Sequence, residues 1–171
     1  MNEFSVKLLL VVCFIVISMV PAPAQDGSEF DFWIGAWDLS WEYTDGSPGH
    51  GVNRIEKTLD DKVIRENFEA LDQGPYSGFK GTSLSVFNPN SNTWHQAWAD
   101  NQGGYFNFTG DVSEGQRIFS TTRQQPDGKE VLLRMRFHHI EANSLTWDWE
   151  QSTDGGQNWT LRWRIYYKRR L

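Results

Sequence analysis

Turn motifs at short, regular spacing divide most of this chain into segments of about eight to eleven residues. Segments that are rich in β-branched and aromatic residues, and that end at Gly, Pro, Asn and Asp, are typical of β-strands. No helical period of useful length interrupts them. The pattern predicts ten strands: Trp33–Tyr43, Gly51–Leu59, Val63–Ala70, Phe79–Phe87, Thr93–Asp100, Tyr105–Val112, Arg117–Arg123, Glu130–Ile140, Ser144–Gln151 and Trp159–Arg169.

Short connections imply that each predicted strand pairs antiparallel with the next. An open meander would leave two exposed edges, and closure into an up-and-down barrel removes both. The sequence therefore predicts an all-β, single ten-stranded antiparallel up-and-down barrel. Ser28–Phe32 is expected to form a short helical turn that plugs one end. A two-sheet sandwich is the alternative.

The N-terminal segment has the organisation of a signal peptide. An apolar run of 13 residues extends from Leu8 to Val20 and is followed by Pro21-Ala-Pro-Ala24. This run is shorter than the ~20 residues of a membrane-spanning helix, and Ala22-x-Ala24 is typical of a signal peptidase site. We expect residues 1–24 to be a signal peptide and residues 25–171 to be a domain that is periplasmic or secreted. An uncleaved N-terminal anchor is the alternative.

Composition narrows the classes of partner. The one cysteine, Cys13, lies in the predicted signal peptide, so the exported domain would have no disulfide and would depend on an ordinary core. The net charge is −6. Nucleic acid is not an expected partner for so acidic a chain, and the basic end Lys168–Arg170 is more typical of a solvated terminus. No membrane insertion is expected after cleavage, and the oligomeric state is left open.

The turn at Asp60-Asp61 predicts the register of the hairpin around it. Glu56 and Arg65 then lie opposite each other on a polar, outward face as an ion pair. Asn53 and Glu66 share the other face with apolar neighbours. This register therefore directs a carboxylate and an amide into the interior of the barrel.

A second hairpin, around Gln102-Gly103, is predicted to collect aromatic and hydrogen-bonding side chains on one face. That face carries Trp94, Gln96, Trp98, Tyr105, Asn107 and Thr109. Such a mixture lines pockets for amphipathic ligands. The alternative places Ala97, Phe106 and Phe108 in the core and the tryptophans outside. All nine tryptophans follow residue 24, which favours a wide aromatic interior or a ring- or sugar-binding surface.

Close to the start of the predicted mature domain lies the segment Phe30-Asp-Phe-Trp-Ile-Gly-Ala-Trp-Asp38. This segment resembles the start of a bacterial family of exported lipocalin-like domains that has no established activity. Gly35-x-Trp37 also resembles the Gly-x-Trp of the calycin barrels. The likeness extends through four further segments: Asn53–Glu56, Val63–Asn67, Trp94–Gly103 and Ser152–Trp159. The resemblance implies a closed antiparallel barrel with an internal cavity.

The resemblance also implies a specific contact. In lipocalins a last-strand arginine stacks on the Gly-x-Trp tryptophan, and here that role would fall to Arg162 or Arg164. The segment Ser152–Trp159 resembles the Asp-box hairpin of sialidases, in which the Asp caps the turn and the Trp packs beneath it. It occurs once, so it indicates a hairpin and not a propeller.

Haem-binding nitrobindin-like barrels also begin with Gly-x-Trp. They continue with two further glycines, where this chain has Leu39 and Trp41. A haem would need an axial ligand, and the candidates are His95, His138 and His139.

No spacing of Cys, His, Asp and Glu predicts a metal site, and no motif for a nucleotide or an activated nucleophile occurs. His138 and His139 are adjacent on a predicted strand and are expected to point to opposite faces. Asp148 and Glu150 share one strand face at a spacing that suits an inverting glycosidase. They alternate with tryptophans, however, and would lie outside if the tryptophans point inward. We assign no metal and no cofactor.

These features predict an exported binding or carrier protein that holds a small amphipathic or aromatic ligand inside the barrel. The alternative is an enzyme, an isomerase or hydrolase, with Glu66 as acid or base, because burial raises the pKa of a carboxyl group. Weaker alternatives are a haem-binding or a sugar-binding barrel. The predicted ligand-binding residues are Trp37, Asn53, Glu66, Gln96, Trp98, Tyr105, Asn107 and Trp147.

Overall fold

The computed structural model describes residues 25–112 and 115–170, which form one closed barrel of ten antiparallel strands. A 3-10 turn, η1 (Asp31–Trp33), precedes the strands. The strands are β1 (Gly35–Glu42), β2 (Pro48–Thr58), β3 (Val63–Ala70), β4 (Lys80–Asn88), β5 (Thr93–Asp100), β6 (Tyr105–Asp111), β7 (Ile118–Gln124), β8 (Glu130–His138), β9 (Ser144–Ser152) and β10 (Thr160–Arg169). Each strand pairs with the next, and β10 pairs with β1.

This topology confirms the predicted ten-stranded up-and-down barrel, and the sandwich alternative is wrong. The bounds of β3 and β5 agree with the prediction at both ends. The predicted signal peptide, residues 1–24, lies outside the described residues. Within the described ranges, no helix is long and apolar enough to cross a membrane.

One end of the barrel is closed by an aromatic plug that η1 carries. Phe30 and Trp33 are buried, with Phe30 stacked on Phe119 at 4.5 Å and Trp33 edge-on to Phe137 at 5.1 Å between ring centres. Burial of one such side chain stabilises a fold by about 1.5 to 3 kcal/mol. The turn lies close to the predicted Ser28–Phe32 and plugs the barrel as expected.

The barrel closes where β10 returns beside β1, and an arginine seals that seam. Trp37 lies opposite Arg169, whose guanidinium carbon is 4.1 Å from the centre of the indole ring. The same guanidinium donates hydrogen bonds to the carbonyl groups of Phe32, Ile34 and Ala142. Gly35 has a φ of +139°, and a Cβ there would overlap Nη1 of Arg169. The glycine therefore makes room for the arginine.

The stacking arginine is thus Arg169, and the assignment of Arg162 or Arg164 was wrong. The strands β1 and β10 are antiparallel, so the end of β10 lies beside the beginning of β1, where Trp37 is. Arg164 instead faces outward, because it alternates with the buried Ile165.

The register predicted for the β2–β3 hairpin is confirmed. Asn53 lies opposite Phe68, Glu56 lies opposite Arg65, and the last two residues form the expected outer-face ion pair. Asn53 and Glu66 are both buried in the interior. The interior therefore does contain a carboxylate.

The register predicted for the β5–β6 hairpin is wrong by one residue. Asn101, Gln102 and Gly103 together form a three-residue loop, with Gly103 at a φ of 83° and hydrogen bonds between Asp100 and Gly104. The prediction assumed a two-residue turn, and one added residue reverses the face that every side chain of β6 occupies. Trp98 consequently lies opposite Phe106, and Phe106 points inward.

Candidate ligand-binding cavity

The barrel contains a cavity of about 160 Å³. Trp98, Phe106 and Trp149, which line it towards the end opposite η1, are only half-buried. Fourteen residues line it, and ten of them are aromatic. The aromatic residues are Trp33, Phe68, Phe79, Trp98, Phe106, Phe108, Trp147, Trp149, Trp163 and Tyr167, and the others are Glu66, Asp100, Met135 and Ile165. The lining is thus apolar and ring-rich, with two carboxylates.

The tryptophans of β9 and β10 present both faces and edges to this space. Trp147 and Trp149 are two residues apart on β9, so they point the same way, and their rings are 5° from parallel with centres 6.4 Å apart. Trp163 stands at 88° to Trp147, at 5.9 Å. Phe106 meets Trp149 edge to face at 5.8 Å. Rings at right angles can surround a small guest on several sides.

A buried carboxylate, Glu66, is the most polar group of the lining. Its Oε1 accepts a hydrogen bond from Nδ2 of Asn53 at 2.7 Å, and its Oε2 accepts one from Oγ of Ser83 at 2.7 Å. Nδ2 of Asn53 also donates to the hydroxyl oxygen of Tyr167 at 3.2 Å. Strands β2, β3, β4 and β10 therefore meet at one hydrogen-bonded cluster.

Burial raises the pKa of Glu66 to about 7, although the hydrogen bonds from Ser83 and Asn53 act in the opposite direction. Burial also raises the pKa of Tyr167, and the nearby charge of Glu66 adds to that rise. Glu66 therefore changes its protonation near neutral pH, while Tyr167 stays a neutral phenol.

Several buried polar atoms near the cavity make no hydrogen bond within the described part of the chain. They include Nε1 of Trp163, Oδ1 of Asn53 and Oε1 of Gln96. Nε1 of Trp33, which also lines the cavity, is a further buried donor without a hydrogen bond in this part of the chain. Buried polar atoms are normally hydrogen-bonded. Trp33 and Trp163 line the cavity, so their N–H groups are donors that a guest can meet, whereas Asn53 and Gln96 lie behind the lining.

A second carboxylate, Asp100, stands at the open end. It accepts hydrogen bonds from Nε1 of Trp98 at 3.1 Å and from the backbone N–H groups of Gln102 and Gly104 at 3.0 and 2.8 Å. Burial opposes ionisation of Asp100, but these hydrogen bonds outweigh it and hold its pKa below the usual value. Asp100 is thus an anion at neutral pH.

The structure divides the predicted ligand-binding residues into three groups. Glu66, Trp98 and Trp147 line the cavity. Trp37, Asn53 and Gln96 are buried but serve its walls: Trp37 lies under Arg169, Asn53 holds Glu66, and Gln96 donates to Ser85. Contact of these residues with a ligand stays a prediction.

Tyr105 and Asn107 form the third group, and their predicted inward orientation is wrong. Both lie on the outer face of β6, where Tyr105 is 69% exposed. The cause is the three-residue loop described above, which places Phe106 and Phe108 inside instead.

Sequence reasoning missed several lining residues. Trp149 follows the alternation of β9 that places Trp147 inward, and Trp163 shares a face of β10 with the buried Ile165 and Tyr167. Strand periodicity could therefore have identified both. Phe79 precedes β4, where no periodicity applies. Met135 points inward from β8 between the buried Leu133 and Phe137, and alternation was the available signal.

Asp148 and Glu150 lie on the outer face of β9, beneath three arginines. Arg164 binds Asp148 through two hydrogen bonds of 2.7 Å, Arg134 binds Glu150 at 2.6 Å, and Arg136 contacts both carboxylates at 3.2 and 3.3 Å. Burial opposes ionisation of Asp148, but Arg164 and His138 together outweigh it and lower the pKa of this carboxyl group. These carboxylates are engaged in ion pairs outside the cavity, which removes the basis for a glycosidase pair.

The histidines lie away from the lumen. His138 contacts Asp148 at 2.9 Å on the outer face. Its ring also meets that of His139, with 2.8 Å between their Nδ1 atoms, which corrects the expectation that the two point to opposite faces. The reason is that β8 ends at His138 and His139 has a φ of 47°.

The haem alternative is not supported by this arrangement. None of the histidines lines the cavity, and about 160 Å³ is too small for a porphyrin. In residues 25–112 and 115–170, no group of three or more His, Cys, Asp or Glu side chains is placed to hold a metal ion.

The surface sugar-binding alternative required exposed tryptophans. All nine are buried or half-buried, so its basis is absent.

Trp159 lies under the guanidinium of Arg134 at 3.8 Å. The hairpin that it ends has the expected form, because Asp154 accepts hydrogen bonds from both the backbone and the side chain of Asn158.

Comparison with known proteins leaves the family open. No family model and no curated protein matches the chain. Among solved structures, a redesigned beta barrel matches 87% of this chain and 100% of its own, at 7% identity and a TM-score of 0.44. A protein of unknown function from the DUF3598 family of Nostoc punctiforme PCC 73102 matches 85% of this chain and 100% of its own, at 9% identity and a TM-score of 0.26. Likenesses this distant support no statement about family or function.

Proposed function

We propose that this chain is an exported, lipocalin-like protein that binds a small amphipathic or aromatic molecule inside its barrel. The observation that supports this most strongly is the cavity of about 160 Å³ with ten aromatic residues in its lining. Cavities of about 150 Å³ hold one benzene ring. The expected ligand is therefore no larger than a single ring with small substituents.

The two ends of the barrel differ in a way that suits uptake of a ligand. The η1 end is filled by buried aromatic side chains such as Phe30 and Phe119. At the other end Trp98, Phe106 and Trp149 are only half-buried, and the cavity lies between them. A pocket with apolar walls and a few polar groups binds through the walls and orients its guest through the polar groups.

Export is part of the proposal and rests on the sequence. The apolar run Leu8–Val20 and the small residues that follow it support a signal peptide. The lack of cysteine after residue 24 means that folding would not depend on the redox conditions of the compartment.

A cavity-filling substitution tests whether the lumen binds. Met135 points into the cavity from β8, and Met135→Trp would occupy much of the space that a ring needs. We expect the affinity for toluene, and for fluorobenzene followed by ¹⁹F NMR, to fall at least tenfold in this variant, since overlap with the new ring excludes the probe.

The matched control is Thr122→Trp, which adds the same ring at an exposed, outward position of the neighbouring strand β7. Its affinity for both probes should equal that of the wild type. Equal binding by the wild type, Met135→Trp and Thr122→Trp would mean that the probes bind outside the lumen, which would contradict the proposal.

A lumen enzyme is the second candidate, favoured by the pKa of about 7 that burial gives Glu66. General acids and bases work best when their pKa lies near the working pH. If a neutral ligand is turned over, Glu66→Gln should abolish the turnover while its affinity is kept, because glutamine has nearly the same shape.

A further inference from the structure

The charged groups of the cavity are all of one sign. Glu66 and Asp100 are the only charged side chains among its fourteen lining residues, none of which is Lys, Arg or His. Arg123 lies over Phe106 near the rim, 4.9 Å from the ring centre, but it is exposed and does not line the cavity. An anionic guest would therefore meet two carboxylates and no cation inside.

Glu66 has no cationic partner on the strands that face it. Asn53 and Ser83 are its hydrogen-bond donors, and both are neutral. Lys57, further along the inward face of β2, is paired with Asp31 at 2.7 Å. Arg169 of β10 is engaged with Trp37 and three carbonyl groups, and the phenol of Tyr167 is neutral.

A buried carboxylate without a counterion is costly once it ionises, and a cationic guest would remove that cost. Two hydrogen bonds leave Glu66 with further acceptor sites, since a carboxylate has about four. The neighbouring Oδ1 of Asn53 is another buried acceptor without a partner. Glu66, which lines the cavity, therefore offers acceptor sites where the positive charge of a guest would lie.

The aromatic walls favour the same class of ligand. The face of a tryptophan ring attracts a cation, and cages of aromatic rings recognise ammonium groups. Trp147, Trp149 and Trp163 provide such faces in two perpendicular directions. Asp100, ionised at the mouth, adds attraction along the way in.

We propose that the lumen binds a small organic cation, an amine or a quaternary ammonium compound no larger than one ring, with its charge beside Glu66 and the tryptophan faces. This inference rests on the proposed binding function and specifies its ligand class. It differs from a carrier of neutral rings because the charge of the guest contributes to affinity.

Choline and 3,3-dimethylbutan-1-ol form a matched pair of probes, since they share a shape and differ in charge. Titration calorimetry at pH 8 should show that choline binds at least tenfold more tightly. The charge of choline does not change with pH, so its affinity should fall at least tenfold between pH 8 and pH 5.5 as Glu66 takes up a proton. The alcohol should show no such change.

The variant Glu66→Gln should bind choline with an affinity that does not change between pH 8 and pH 5.5. Its preference for choline over the alcohol should be smaller than that of the wild type, because only the tryptophan faces and Asp100 then attract the charge. Glu69→Gln, on the outer face of the same strand, is the control and should behave as the wild type. If Glu66→Gln does not fold, the change in choline affinity of the wild type between pH 8 and pH 5.5 still tests the cation proposal.

Tighter binding of the alcohol than of choline, or a choline affinity that does not change with pH, would overturn the cation proposal. Binding of toluene without binding of choline would also overturn the cation proposal, but it would support the proposed binding function. If none of the three probes binds, both proposals fail.

Discussion

Replacement of Glu66 by glutamine is expected to stabilise the protein at pH 8 by about 3 kcal/mol. The pKa of Glu66 rises from 4.5 to about 7 on folding, because the group is buried without a counterion. The folded state thus holds the proton more tightly than the unfolded state. The contribution of Glu66 to the free energy of unfolding is therefore complete below about pH 4.5. It is lost as the pH rises through about 7, at roughly 1.4 kcal/mol per unit of difference between the two pKa values.

The glutamine side chain of this variant does not titrate, so the variant should lack this loss. Its amide can accept from Asn53 and donate to Ser83, which keeps both hydrogen bonds in place. Urea denaturation at pH 5 should give free energies of unfolding within about 1 kcal/mol of each other for wild type and variant, and a difference of about 3 kcal/mol at pH 8.

Glu69→Gln is again the control for this measurement. Glu69 forms an outer-face ion pair with Lys80, at 2.7 Å and largely hydrated. Loss of such a pair costs under about 1 kcal/mol. Parallel pH profiles for the wild type and Glu66→Gln would show that Glu66 does not titrate near neutral pH in the folded protein.

The second large effect is expected on the outer face, where Asp148→Asn should destabilise the protein by about 3 kcal/mol. Asp148 is fully buried and is shared by Arg164, Arg136 and His138. Removal of its charge leaves Arg164 without its carboxylate partner and leaves Arg136 with Glu150 alone. Loss of one member of a buried ion pair costs about 3 to 5 kcal/mol. The arginines are 38% exposed and can be partly rehydrated, which favours the lower end of that range.

Asp38→Asn is a matched control for Asp148→Asn. Asp38 pairs with Arg170, and both side chains are at least half exposed. We expect that loss to stay under about 1 kcal/mol, because water screens exposed pairs. Equal destabilisation by the two substitutions in thermal and urea denaturation would refute the claim that the network on β8–β10 supports the barrel.

Local patterns were sufficient to predict the fold. Turn residues recur often enough to mark ten strands, and short connections leave few pairings other than neighbour to neighbour. The hairpin at Asp60-Asp61 shows how far this reasoning extends, since it placed both Asn53 and Glu66 inside. The structure confirms each of these points.

The face of β6, the arginine partner of Trp37 and the network around Asp148 depended on details that the sequence pattern alone does not contain. One added residue in the loop Asn101–Gly103 reversed the face of β6, so Tyr105 and Asn107 were expected inside while Phe106 was missed. The partner of Trp37 followed from the register between the first and last strands, which no local turn determines. The arginine network around Asp148 likewise joins strands β8, β9 and β10 through side chains that the sequence does not pair.

Native mass spectrometry of the protein purified from its own cells tests most directly whether the lumen is a binding site. The wild type is predicted to carry one small molecule per chain, of a mass that suits a single ring or a small amine, and Met135→Trp is predicted to carry none. A wild-type chain that is always empty and that binds neither toluene nor choline in solution would contradict the account. Equal retention of the molecule by wild type and Met135→Trp would contradict it as well, because the molecule would then lie elsewhere.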